Sequence, residues 1–266
     1  MTLAGGVIIV AFVLVALAGP LLVSQDPIVQ ELGRRLSPPS HDHPFGTDSL
    51  GRDVFSRVIH GARISVVSGI AVITAATTFG IAAGMIAGWR GGWWDETLMR
   101  ITDMFLAFPS LVLAMAISAI LRPNLTNALL AITVTAWPAY ARIARAQALT
   151  LRARDYVEAA RAEGAKETTI VTRHLIPNAV APILVQATLD IGGIILLTAG
   201  LSFIGFGAQP PTPEWGLMVS DGRRFLMEQW WIATFPALAI MFLVLGFNLM
   251  GDGVRDLLDP RLRKLT

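Results

Sequence analysis

The chain has 266 residues, enough for one large domain or two small ones. Hydrophobic residues make up 54% and 24 glycines join them, while charged residues stand at 15%; soluble domains hold roughly 45–50% apolar residues with glycine included and ~25% charged. A net charge of +2 without a basic run among aromatics argues against nucleic acid, and the lack of cysteine excludes disulfides, thiolate metal sites and a cysteine nucleophile. The charges are separated by long uncharged runs, which is the pattern of a polytopic membrane protein.

A bilayer core of ~30 Å takes about 20 apolar residues as a helix. The apolar runs are continuous rather than alternating, so helices rather than a closed barrel satisfy the backbone. The expected fold is all-α, a transmembrane bundle of six spans. The first, Leu3 to Val23, fills residues 1–24. Ala16-Leu17-Ala18 resembles a signal cleavage site, but no positive residue precedes Ile8, which favours a retained span. An outer loop with an amphipathic lead-in takes 25–63. A core over 64–250 follows. Its second span, Ile64 to Trp89, carries no charge. The third covers Leu98 to Leu121, with Asp103 near its start and Pro109 inside. The fourth runs from Leu125 to Ala141. The fifth lies in Ala179 to Phe206, interrupted only by Asp190. After an outer loop over 207–229, the sixth covers Trp230 to Met250, and a tail takes 251–266.

With both termini inside, the inner segments hold thirteen Lys and Arg against eight outside. That bias favours cytoplasmic termini. Trp89, Trp93 and Trp94 at the end of the second span, and Trp230 and Trp231 at the start of the sixth, read as anchors at the headgroup level.

Gly80, Gly84 and Gly88 recur at spacing four and predict a close helix–helix seam. Asp103 is near an interface and within reach of water. Asp190 is deeper, and a charge at that depth faces a cavity or a partner. A transported substrate or an interhelical hydrogen bond would satisfy it equally well. His41-Asp42-His43 reads as a flexible polar loop rather than a metal site, since no further ligand is placed beside it. No His-Glu-x-x-His and no Gly-rich loop with Lys-Ser/Thr occurs, so neither zinc proteolysis nor phosphate chemistry is expected of this chain.

The long inner loop, 150–178, is the most informative stretch. Asp155 and Glu158 have the spacing of a capping box. Gly164 has the place of a left-handed C-cap. A second short helix is expected over Lys166 to Arg173, stopped by Pro177. Two short helices meeting at a glycine offer a face to a soluble partner or lie idle at the headgroups.

Glu158-Ala159-Ala160, then Gly164, then His174 and Ile176-Pro177 resemble the EAA loop of bacterial ABC importer permeases. His174 stands where the wider family has Ile, and His-x-x-Pro-Asn resembles the peptide/nickel branch. Phe45-Gly46-Thr47-Asp48, Gly51-Arg52-Asp53, the Leu201 to Gly207 run, Gln209 to Gly216, and Phe247 to Gly253 followed by Leu258-Asp259-Pro260 also resemble that branch, closest to the C-type dipeptide permease subunits. Relatives often carry an acidic residue around Leu197–Thr198, and this chain has none there.

The resemblance implies a multi-pass protein of the bacterial inner membrane, in contact with lipid. It implies a heterodimer with a paralogous permease, two cytoplasmic ATPases that bind ATP and Mg, and an external solute-binding protein. Glu158, Ala159, Ala160, Gly164, His174, Ile176 and Pro177 would form the ATPase-coupling element. Glu158 would either meet a basic residue across that interface or complete its own helix cap. Asp190 and Asp103 would lie on the translocation pathway. No catalytic residue, metal or cofactor is expected in this chain. Dipeptides lead as cargo, with glutathione and nickel chelates as alternatives. An autonomous channel or secondary transporter is the rival of a different class, and it would need repeats and broken helices that the sequence lacks.

Overall fold

The computed structural model describes residues 2–258. The Asp259-Pro260 end of the last motif lies outside the described residues. Within them the chain is helical, and the only strand-like pairing is an isolated bridge between Thr47 and Asp53.

The helices in chain order are α1 (Thr2–Leu22), α2 (Val54–Arg90), α3 (Gly92–Leu106), α4 (Ser110–Leu121) and α5 (Leu125–Arg152). Then come α6 (Asp155–Ala162), α7 (Glu167–Ile170), α8 (Ile176–Phe203), α9 (Trp215–Gly222) and α10 (Trp231–Leu258). α1, α2, α8 and α10 are each long and apolar enough to cross a membrane. The predicted fourth span is the first half of α5, where Asn127 and four threonine or tyrosine side chains dilute its hydropathy.

The predicted third span is not one rod. α3 and α4 meet at 93° across a short break. Pro109 disfavours helical backbone at Phe108, and it lacks the N–H that would carry the ladder through. Two other boundaries shift. The lead-in to the second span is helix from Val54, because the Asp53 carboxylate caps it by accepting from the Ser56 N–H at 2.6 Å. The last helix runs past Met250 to Leu258, so part of the expected tail belongs to α10.

α2 is the axis of the bundle and touches α1, α3, α5, α8 and α10. Against α5 it lays Gly80, Gly84 and Gly88, where an added Cβ would overlap Tyr140, the Ala141 carbonyl and the Ala148 methyl respectively. The facing residues Ala141, Ala144 and Ala148 are fully buried. Small side chains on both helices let the backbones approach, and dispersion over that contact replaces a hydrophobic drive absent in lipid. The outward face of α1 is the converse: Leu3, Val7, Val10, Leu14, Leu17 and Leu21 recur every three or four residues and are 57–88% exposed. Such an exposed apolar stripe on a helix of spanning length accounts for part of the apolar composition.

Candidate functional site

The elbow of residues 153–178 is built from helix termini. α6 ends in a Schellman motif: Ala165 N–H donates to the Ala160 carbonyl and Gly164 N–H to the Arg161 carbonyl, both at 3.0 Å. Gly164 has φ +79°, a left-handed conformation that a Cβ would strain. The predicted capping box does not form. Arg154 occupies the N-cap without a side-chain bond, and Asp155 and Glu158 lie inside the first turn, where they only complement the helix dipole. Nor does Pro177 stop the second helix. α7 passes through a π-helical turn, Val171–Leu175, straight into α8, and Pro177 comes directly after that turn, where the ladder has shifted to Ile176 N–H on the Val171 carbonyl. His174 is half-buried beside Tyr156, with ring centroids 6.2 Å apart.

Val157, Ile170 and Leu175 are fully buried and anchor the elbow to the bundle. The Arg161 guanidinium lies over the Trp89 ring. Ala160 packs on the core, whereas Glu158, Ala159, Gly164 and Pro177 are exposed. A cleft of about 250 Å³ between the C-terminal end of α2 and the elbow is lined by Trp89, Arg90, Glu167 and Thr172 among others. The elbow is therefore held along one side and bare along the other.

The two predicted pathway acids have different surroundings. Asp103 pairs with Arg142 at 2.5 Å, and both are about half exposed. Asp190 accepts a hydrogen bond from the Tyr140 hydroxyl at 2.6 Å and another from the Gln186 amide at 2.9 Å. It lines a cavity of about 350 Å³ with Leu106, Ser110, Thr135 and Tyr140. Gly193 and Leu197 are shared with a second, apolar cavity of about 790 Å³ between α4, α8, α9 and α10.

The expected flexible loop around His41–His43 is instead a folded cap. His41 is exposed, but His43 is buried and its Nδ1 lies 2.9 Å from Asp53 Oδ1. No cluster of metal-ligating groups occurs among the described residues. Asp48 accepts from the backbone N–H of Leu50 and Arg52 and from Arg52 Nε. The buried Arg57 guanidinium donates to the carbonyls of Pro27, Pro211 and Thr212 at 3.0, 3.3 and 3.5 Å, joining the two outer loops. Trp231 is no headgroup anchor: it is buried and its indole donates to the Thr47 carbonyl, while Phe45 stacks on Phe235 at 3.9 Å. Trp93 and Trp94 are exposed. Glu214 caps α9 by accepting from the Leu217 N–H at 2.8 Å, and burial pushes its carboxyl above the usual range. Asp221 is raised too, chiefly by burial, with Arg52 and Arg57 opposing. α8 closes on a second Schellman motif at Gly205, φ +90°. These cap contacts account for the outer motifs, whose structural role the sequence did not reveal.

This set of helices defines a membrane permease of the type I ABC importer fold. A chain of the inward-facing MetNI methionine ABC transporter superposes with a TM-score of 0.60 at 20% identity, covering 76% of this chain and 97% of that one. A crystal structure of an amino acid ABC transporter with histidines gives 0.57 at 17% identity, covering 76% and 94%. Residues 80–264 match the family described as binding-protein-dependent transport system inner membrane component, and the chain belongs to that family. It is 46% identical over 263 residues to the dipeptide transport system permease protein DppC of Alkalihalophilus pseudofirmus, covering 99% of this chain and 86% of the relative. It is 47% identical to the probable D,D-dipeptide transport system permease protein DdpC of Escherichia coli K12, covering 98% and 88%. The glutathione transport system permease protein GsiD of Escherichia coli O6 is 44% identical, covering 85% and 74%. The chain is thus a multi-pass inner-membrane transport subunit rather than an enzyme.

Proposed function

We propose that this chain forms half of the pathway of an ATP-driven importer of dipeptides and other short peptides, paired with a paralogous permease. Two cytoplasmic ATPases, which bind ATP and Mg, grip the exposed side of the elbow at Glu158, Ala159 and Gly164. A solute-binding protein delivers cargo to the outer cap, and both termini lie in the cytoplasm. The observation that carries this reading is the elbow itself: fixed to the bundle by Val157, Ile170 and Leu175, and open where a groove would take a short helix. His174, Ile176 and Pro177 then act from behind, by setting the path of the chain into α8. Dipeptide cargo is supported by the two relatives above 45% identity; the 44% relative keeps glutathione as a second reading.

The test is Gly164→Asp in the assembled importer. It should abolish uptake and free ATP hydrolysis from its dependence on cargo while the protein still inserts. Normal uptake by that variant refutes the coupling role. Competition of dialanine uptake by excess glutathione separates the two cargoes.

A further inference from the structure

We infer that Asp190 receives the cationic amino terminus of the cargo halfway across the membrane. The inference rests on the peptide-import reading above and names the chemistry of its contact. Asp190 is 14 residues after Ile176 and 13 before Phe203 in α8, so at 1.5 Å per residue it is about 20 Å from either end. Its two hydrogen-bond donors, the Tyr140 hydroxyl and the Gln186 amide, are both neutral. No ion pair to Asp190 occurs among the described residues. A carboxylate offers about four acceptor sites, so half of its capacity remains. Asp103 is the contrast, because its cation, Arg142, is already in place.

A carboxylate at this depth without a cation is costly and marks an ion or substrate path. The space beside it fits a small zwitterion. The 350 Å³ cavity adds the hydroxyls of Ser110 and Thr135 to the carboxylate. Gly193, one turn further along α8, leaves the wall bare, with nothing within 4 Å of where a Cβ would be. Gly193 and Leu197 line both this cavity and the 790 Å³ apolar one beside it. A peptide's ammonium sits at Asp190 while its apolar side chains occupy the larger space. Tyr140 and Gln186 are positioning residues that aim the carboxylate.

The test uses the complete importer with its partner subunits and binding protein in lipid vesicles, and radiolabelled dialanine as probe. Absence of uptake by the wild type would refute the import reading itself. Given wild-type uptake, Asp190→Asn should lower the rate about tenfold or more, since a charge-assisted bond becomes a neutral one. The complex with its partner subunits should assemble in wild-type yield. Uptake by Asp190→Asn within twofold of wild type overturns the inference. So does failure of that variant to assemble with the partner permease, which would assign the carboxylate to a subunit contact. An independent measurement is zero-length coupling by a carbodiimide, which joins a carboxylate to a primary amine in contact. Dialanine, and not N-acetyl-dialanine, should be recovered as an amide on Asp190; attachment elsewhere, or none, also overturns it.

Discussion

The Arg161 guanidinium lies 4.7 Å from the centroid of the Trp89 ring, and so joins the first elbow helix to the C-terminal end of α2. A helix long and apolar enough to cross a membrane thus holds the elbow at a second point beside the buried Val157, Ile170 and Leu175. A cation over indole contributes about 0.5–2 kcal/mol. Trp89→Ala should therefore loosen α6 without unfolding the bundle. Hydrogen exchange of residues 155–164 should speed up by about three- to thirtyfold, while α5 and α8 keep their protection.

The α2–α5 seam gives a sharper prediction. A Cβ at Gly84 has no room beside the Ala141 carbonyl and the Ala144 methyl. Gly84→Leu forces the two helices apart, and overpacking costs about 1–3 kcal/mol or more. Thermal unfolding in detergent should show a lowered midpoint. Gly6→Ala is the control, because nothing lies within 4 Å of its Cβ position. It should be neutral or slightly stabilising.

Glu214 carries a pH signature. Burial raises its carboxyl pKa in the folded protein above the unfolded value. The folded state then binds the proton more tightly, so this group's contribution is fully present below the unfolded pKa and lost as pH rises through the folded one. Glu214→Gln removes that dependence. The difference in unfolding midpoint between wild type and variant, followed from acid to neutral pH, should fall steadily in disfavour of the wild type. A flat difference curve would contradict the assignment.

Arg57 ties the outer loops through three carbonyls while itself almost wholly buried. Arg57→Lys keeps the charge and loses the planar fork. Arg57→Leu leaves the three carbonyls without their donor and Asp48 with Arg52 alone, a loss of about 3–5 kcal/mol for a buried charge network. Proteolysis of the purified protein should cut within residues 25–53 and 207–214 far sooner in Arg57→Leu than in wild type, with Arg57→Lys between them.

The spans were legible because apolar length is a one-dimensional signal: α1, α8 and α10 begin or end within a few residues of the expected limits. The glycine seam was legible as well, because spacing four maps directly onto one helix face. Gly164 was readable for the same local reason. What failed depended on partners distant in the chain. The capping box at Asp155 was a local pattern outweighed by Arg154 entering as N-cap. Pro177 looked like a stop because proline ends most helices, whereas here it follows a π turn that carries the chain on, with Ile170 and Leu175 buried on either side of that turn. The outer cap was invisible: Arg57 finds two of its three acceptors more than 150 residues away, and Trp231 finds Thr47 184 residues away. For Asp190 the sequence left two readings open, and Tyr140 supplies the hydrogen bond without supplying a cation.

The unbroken passage from Glu167 through the π turn to Phe203 makes the elbow and the fifth membrane helix one continuous rod. Glu167 and Asp190 therefore lie on one backbone path with no loop between them. On the proposed function, the grip of the ATPases and the hold on cargo would then be two ends of a single machine part, with the wide turn at Val171–Leu175 between them.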